Sequence, residues 1–175
     1  MMSNRTTRRS FLQTSAAGAL AASLPGCKPA AARQPNIVLV MSDQQHWEAA
    51  GYRNSFFDTP HQDVLAKESF VFDNFYCTTP QCSPSRSSIF TGWYPSKTGV
   101  MGNIGSAGGD DLEMETWGAM LRRAGYRTGY FGKWHLGENA TASAGWDEGF
   151  KQARDAEALA KGLAFIKQQA AGRQP

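Results

Sequence analysis

The sequence predicts an α/β fold with a mostly parallel sheet, and three observations carry that expectation. Ile37-Val38-Leu39-Val40-Met41 is a continuous apolar run of largely branched residues, bounded by Pro35-Asn36 before it and Ser42 after it. Alternating polarity would mark a strand wet on one face, whereas a continuous run marks one covered on both, as in parallel sheets. The run ends on Asp43-Gln44, polar side chains at the C-terminal end of a strand, the edge where open α/β sheets hold their ligands. Beyond it, strand-like and helix-like segments alternate along the chain.

The first residues stand apart from that fold. Five of the 18 basic residues (Arg5, Arg8, Arg9, Lys28 and Arg33) precede the first acid, so the formal net charge of +3 belongs to this leader. The other 13 basic residues face 15 acidic ones, and no basic stripe interleaved with aromatics is present, so nucleic acid is not an expected partner. Residues 1–27 read as an export signal. Thr7-Arg8-Arg9-Ser10-Phe11-Leu12 resembles a twin-arginine motif, which implies the twin-arginine export machinery as a partner. Phe11 to Leu24 is too short and too mild for a permanent membrane span. Leu24-Pro25-Gly26-Cys27 resembles a lipobox, although Pro25 departs from its usual small or aliphatic residue. The expected product is exported, either periplasmic or a lipoprotein attached to the membrane through lipidated Cys27. Residues 28–34 read as a linker, and 35–175 as one domain. A hydrophobic content of 41% against 19% charged residues fits a packed core rather than disorder. Three cysteines are too few for a disulfide framework. Cys77, preceded by Phe75-Tyr76, is expected to be packed.

In order along the domain, the strand at Ile37–Met41 delivers Asp43 and Gln44, whose oxygens suit Ca2+ or Mg2+. Thr59-Pro60 opens a helix to about Lys67, with Val64, Leu65 and Phe70 expected to face inward and His61 to be solvated. Phe70 to Tyr76 reads as a second strand. In Cys82-Ser83-Pro84-Ser85-Arg86, Pro84 suits a first helical position and Ser83 the N-cap, which would leave Cys82 just outside a helix N-terminus. Such an end attracts anions and activates a neighbouring thiol. Arg86, a cation in the first turn, then asks for an anionic partner. That helix is expected to end at Thr91-Gly92. Trp93 to Gly109, rich in glycine and polar residues, reads as surface loop. Trp117, Met120, Leu121 and Ala124 recur at helical spacing, with Gly125 as the stop. Tyr126 to Phe131 reads as a strand, off which comes Gly132-Lys133-Trp134-His135-Leu136-Gly137. Ala156, Leu159, Leu163, Ile166 and Ala170 form the expected apolar stripe of a last helix.

Three of these stretches carry a resemblance. Cys82-Ser83-Pro84-Ser85-Arg86 running on to Thr91-Gly92, the Asp43-Gln44 pair, and Tyr126–Phe131 with Gly132–Gly137 resemble, in order, motifs of the type I sulfatases. The resemblance implies an alkaline-phosphatase-like α/β sandwich, incomplete at the C-terminus. It implies a sulfuric ester hydrolase acting on a sulfate ester substrate. Cys82 would be oxidised to formylglycine by a formylglycine-generating maturation enzyme. Asp43, Gln44 and the modified residue 82 would bind Ca2+ or Mg2+, Arg86 would stabilise the negative diol, and Lys133 would contact the sulfate or the formylglycine oxygen. His135 would hydrogen-bond the formylglycine hydroxyl and help break down the covalent sulfate intermediate. The family's later metal ligands, a further Lys and a further His have no counterpart in the 175 residues, so the resemblance covers an N-terminal part of a catalytic domain. A non-catalytic exported remnant stays open as an alternative, as does a phosphatase or phosphonate monoester hydrolase on the same fold.

Overall fold

The structure, a computed structural model, describes residues 34–105, 109–138, 144–150 and 155–172. The export signal, and the linker up to residue 33, lie outside the described residues. The elements in chain order are helix α1 (Pro60–Glu68), α2 (Cys82–Thr91), the single turn α3 (Pro95–Thr98), α4 (Trp117–Arg123), strands β1 (Gly129–Phe131) and β2 (Glu148–Phe150), and α5 (Asp155–Ala171). β1 and β2 pair in parallel with Gly129 opposite Glu148 and Phe131 opposite Phe150. The fold is therefore α/β with a small parallel sheet, as the sequence predicts.

The core is a cluster of aromatics around α2. Phe90, Val100, Trp134, Leu136 and Trp146 are buried together, with Met41, Ile104, Leu112, Trp117 and Tyr130 packed against them. The Phe90 ring lies 5.9 Å from Trp117, 5.6 Å from Tyr130, 5.2 Å from Trp134 and 6.1 Å from Trp146. Rings in this range exchange edge and face contacts beyond simple area burial. α2 thus presses one aromatic into the cluster while its small polar residues fill the rest of the buried face. Those hydroxyls bond locally. Ser87 Oγ donates to the Pro84 carbonyl at 2.8 Å, and Thr91 Oγ1 to the Ser87 carbonyl at 2.7 Å. Satisfied in this way, they are buried without penalty. Gly92, at φ 74, closes the helix by donating its N–H to the Ser88 carbonyl at 2.8 Å, a left-handed cap that glycine adopts without strain.

Several expectations are corrected. Ile37–Met41 forms no strand, and Val40 is 88% exposed. A strand needs a hydrogen-bonded neighbour, and among the described residues none lies beside this run. Phe70–Tyr76 likewise forms no strand, with Phe70, Phe75 and Tyr76 open to solvent. Cys77 is exposed rather than packed. α1 forms where predicted, but Val64 and Leu65 face outward and none of its residues is buried. The third predicted strand keeps only its last half, as β1. In α5 the predicted stripe is exposed at Leu159, Leu163 and Ile166. Its contact face is Ala158, Gly162 and Phe165, with Phe165 5.6 Å from Phe131 of β1. At Gly162 an added Cβ would lie 3.5 Å from the Phe131 ring, so the helix sits close on β1 there. The stretch from Trp93 to Gly109 is not all surface, since it holds α3 and the buried Thr98, Val100 and Gly102.

Candidate active site

Three segments distant in sequence converge on Cys82. Asp43 comes from the chain after Met41, Cys82 and Arg86 from α2, and Lys133 from the turn after β1. Lys133 Nζ donates to Asp43 Oδ2 at 2.7 Å and to Cys82 Sγ at 3.4 Å. Cys82 Sγ in turn lies 3.9 Å from Asp43 Oδ1. Arg86 Nη2 donates to Asp43 Oδ1 at 3.3 Å. Four of the six predicted site residues are thus brought together. The anionic partner that Arg86 requires is present in the fold, and it is Asp43.

The start of α2 differs from the expectation. Cys82 is its first residue, with Gln81 as the N-cap, so Arg86 falls in the second turn. The anion-binding end is also largely occupied. Ser83 N–H donates to Asn103 Oδ1 at 3.0 Å and Ser85 N–H to the Gln81 carbonyl at 3.1 Å, while Pro84 has no N–H to give. Asn103 caps the helix from twenty residues away, and Ser83 Oγ accepts the Ile104 N–H at 3.2 Å in return. This tie fixes α2 through its side, and its donors leave little room for a ligand at the helix end.

Arg86 organises the site from beneath. It is 5% exposed, and besides Asp43 it donates through Nη1 to the Lys133 carbonyl at 2.5 Å and to the Tyr130 hydroxyl at 3.4 Å. Tyr130 was not among the predicted site residues. Its hydroxyl also donates to the Lys133 carbonyl. The turn itself is pinned by Trp134 and Leu136, both buried in the aromatic cluster. Between them His135 takes a left-handed backbone, φ 59, with Nδ1 buried and without a hydrogen-bond partner among the described residues. Such a conformation in a non-glycine residue is uncommon and persists where its surroundings enforce it. Neither His135 nor the exposed Gln44 is hydrogen-bonded to Cys82, Asp43 or Lys133 among the described residues.

Charge follows geometry. The Lys133 hydrogen bond, reinforced by Arg86 against some burial, holds the Asp43 carboxyl below the usual carboxylate range. The same bond, with a smaller contribution from Cys82, pushes Lys133 up. Burial pushes the Tyr130 hydroxyl up, so it stays a donor at neutral pH. The cluster therefore presents a nucleophile-bearing side chain beside a permanent ammonium and an ionised carboxylate. It does not by itself fit a cation cage. Asp43 is its single carboxylate, both oxygens face cations, and among the described residues no group of three or more His, Cys, Asp or Glu is placed to hold a metal.

The sulfatase family model matches residues 35–165. The chain is similar to the ulvan-active sulfatase of Formosa agariphila, 41% identical over 59% of this chain and 20% of the relative. It is also similar to human arylsulfatase G, 37% identical over 62% of this chain and 21% of the relative. Rat N-acetylgalactosamine-6-sulfatase is 34% identical over 78% of this chain and 27% of its own length. The chain thus spans about a fifth to a quarter of the length of these relatives. The crystal structure of Ps i-CgsB superposes with a TM-score of 0.61 at 30% identity, over 79% of this chain and 33% of that one.

Proposed function

The chain belongs to the sulfatase family, and on that premise we propose that it carries the nucleophile and the inner charged groups of a sulfuric ester hydrolase. Its fold is the alkaline-phosphatase-like α/β type of its structural neighbours. One observation carries the proposal. Cys82, in the Cys-Ser-Pro-Ser-Arg stretch, sits 3.4 Å from the Lys133 ammonium and 3.9 Å from the Asp43 carboxylate.

In this reading a formylglycine-generating enzyme, with an external two-electron oxidant, breaks the Cys82 C–S bond, releases the sulfur and leaves an aldehyde, and water adds to give a geminal diol. One diol oxygen attacks the sulfur of a sulfate ester and the S–O bond to the alcohol breaks. The second hydroxyl then loses its proton, sulfate leaves from carbon, and the aldehyde is restored. Lys133, whose ammonium is 3.4 Å from Cys82 Sγ, would neutralise charge on the sulfuryl oxygens. Arg86 keeps the Lys133 backbone and Asp43 in register with residue 82. His135, whose buried Nδ1 has no hydrogen-bond partner among the described residues, would draw the proton from the second hydroxyl. Asp43 and Gln44 would be two oxygen ligands of a divalent cation, Ca2+ or Mg2+. A Ca2+ site takes roughly six to eight oxygens, so these residues contribute to such a site rather than build it. The relatives named for ulvan and for N-acetylgalactosamine 6-sulfate make a sulfated saccharide the first substrate to assay.

The test is mass spectrometry of the peptide spanning Cys82, from protein made with a maturation system. An aldehyde in place of the thiol is expected. Unmodified thiol alone, where a known sulfatase is converted, sinks the reading. Export belongs to the same proposal. Replacing Arg8 and Arg9 by Lys is expected to hold the precursor in the cytoplasm, and Cys27→Ala to abolish lipid labelling. Unchanged fractionation or labelling overturns the respective assignment.

A further inference from the structure

We propose that Tyr130 is a positioning residue, its hydroxyl fixing the Lys133 backbone and the Arg86 guanidinium so that Lys133 Nζ rests on the side chain of residue 82. The proposal rests on the sulfatase reading for its purpose, though not for its test. Three groups form a closed triangle under the site. The Tyr130 hydroxyl donates to the Lys133 carbonyl, Arg86 Nη1 donates to the same carbonyl at 2.5 Å, and Arg86 Nη1 also lies 3.4 Å from the Tyr130 oxygen. The carbonyl they hold belongs to the Lys133–Trp134 peptide, inside the turn that follows β1. In that turn Gly132 takes φ 129 and His135 φ 59, while Trp134, between Lys133 and His135, is buried. A lysine stem is flexible, so the backbone does not set the ammonium alone but bounds where it can reach. A displaced Lys133 backbone would shift that reach off Asp43 and Cys82, which Nζ now meets at 2.7 and 3.4 Å.

The ring of Tyr130 cannot follow such a movement. It is wedged 5.6 Å from Phe90, 5.0 Å from Trp134 and 5.6 Å from Trp146. Packing therefore positions the hydroxyl, the hydroxyl positions the carbonyl, and the carbonyl positions the lysine. Phenylalanine at this position would keep the first link and cut the second.

Proximity of Lys133 to Cys82 can be read without turnover. Ortho-phthalaldehyde joins an adjacent amine and thiol into a fluorescent isoindole. The nitrogen bonds to both aldehyde carbons, the sulfur bonds to one, and two waters leave. The full chain is made without a maturation system, so that Cys82 stays a thiol, and the linked Cys82–Lys133 peptides are identified by mass. Wild type is expected to form this adduct, and Lys133→Arg to lack it. Tyr130→Phe is expected to form it about tenfold more slowly, the scale of losing one net hydrogen bond, while melting within a few degrees of wild type. An unchanged rate in Tyr130→Phe overturns the proposal. So does a Tyr130→Phe chain that fails to fold, because the hydroxyl would then hold the fold rather than the site. Absence of the aldehyde at residue 82 would overturn the sulfatase reading alone and leave the adduct rates standing.

Discussion

Replacing Arg86 by lysine keeps the charge and removes the fork, and the structure says what that is worth. The guanidinium serves three acceptors: the Lys133 carbonyl, the Tyr130 hydroxyl and Asp43 Oδ1. Asp43 is 47% exposed at its side chain, so solvent screens that arm and it contributes little to stability. The other two acceptors lie beneath the site, where Arg86 itself is 5% exposed. An ammonium on a shorter, flexible stem can reach one of them and leaves the other without its cationic donor. A lost charge-assisted bond and an under-satisfied buried group together come to about 2–3 kcal/mol. In a chain of this size that is a fall of about 5–10 °C in melting temperature. Trp117, Trp134 and Trp146 all lie in the neighbouring cluster, so tryptophan fluorescence reports the transition directly. If Arg86→Lys melts within about 2 °C of wild type, the fork contributes nothing and Arg86 acts by charge alone.

Three further outcomes are expected. Gly145, at φ 87, would place a Cβ 2.3 Å from Ala119 Cβ and 2.6 Å from the Ala119 nitrogen; Gly145→Ala should destabilise by more than about 3 kcal/mol, and a normal melting curve would refute that. Asp147 is held below the usual carboxylate range: burial opposes this, but the Thr128 N–H and hydroxyl bonds with Arg127 and Arg122 outweigh it. Its folded value is lowered, so its stabilisation is complete above the unfolded value of about 3.9 and is lost as pH falls through the folded one. The stability gap between wild type and Asp147→Asn should be constant from about pH 5 to 8 and close in stronger acid, and a gap that widens there would contradict the sign. Finally, with Asp43 and Gln44 as the proposed oxygen ligands and a Ca2+ site taking roughly six to eight oxygens, the matured chain should hydrolyse aryl sulfates no faster than its Cys82→Ala variant even with excess Ca2+, because groups acting as a unit fail together; clear turnover would show that the site is completed some other way.

What the sequence made legible is what is decided locally. The limits of α2 follow from Pro84 and Gly92, the stop of α4 from Gly125, and the span of α5 from its length and composition, all within one or two residues. Asp43, Cys82, Arg86 and Lys133, which the fold brings together, stood out in the sequence because their order and spacing resemble a family pattern. Tyr130 and Asn103 did not. Tyr130 looks like one more aromatic of a short strand, and only the fold shows its hydroxyl reaching back to Lys133. Asn103 sits in a glycine-rich stretch with no local pattern, and its function as a cap for Ser83 is a contact across twenty residues.

The strands were the least legible, and the reason bears on the site. Apolar composition at Ile37–Met41 says that the run can be buried on both faces; it does not supply the neighbours that bury it. Without a ladder, this segment cannot hold Asp43 as the end of a rigid strand would. The carboxylate is nevertheless in place, 2.7 Å from Lys133 and 3.3 Å from Arg86, and Met41 packs against the aromatic cluster just before it. Asp43 is therefore positioned from its far side, by the two cations it faces and by one hydrophobic anchor. Those two cations are themselves held together through the Lys133 carbonyl. The order of dependence runs from the aromatic cluster to the turn after β1, from that turn and α2 to the pair of cations, and from them to Asp43. A substitution in the cluster should consequently reach Asp43 sooner than one in the apolar run that precedes it.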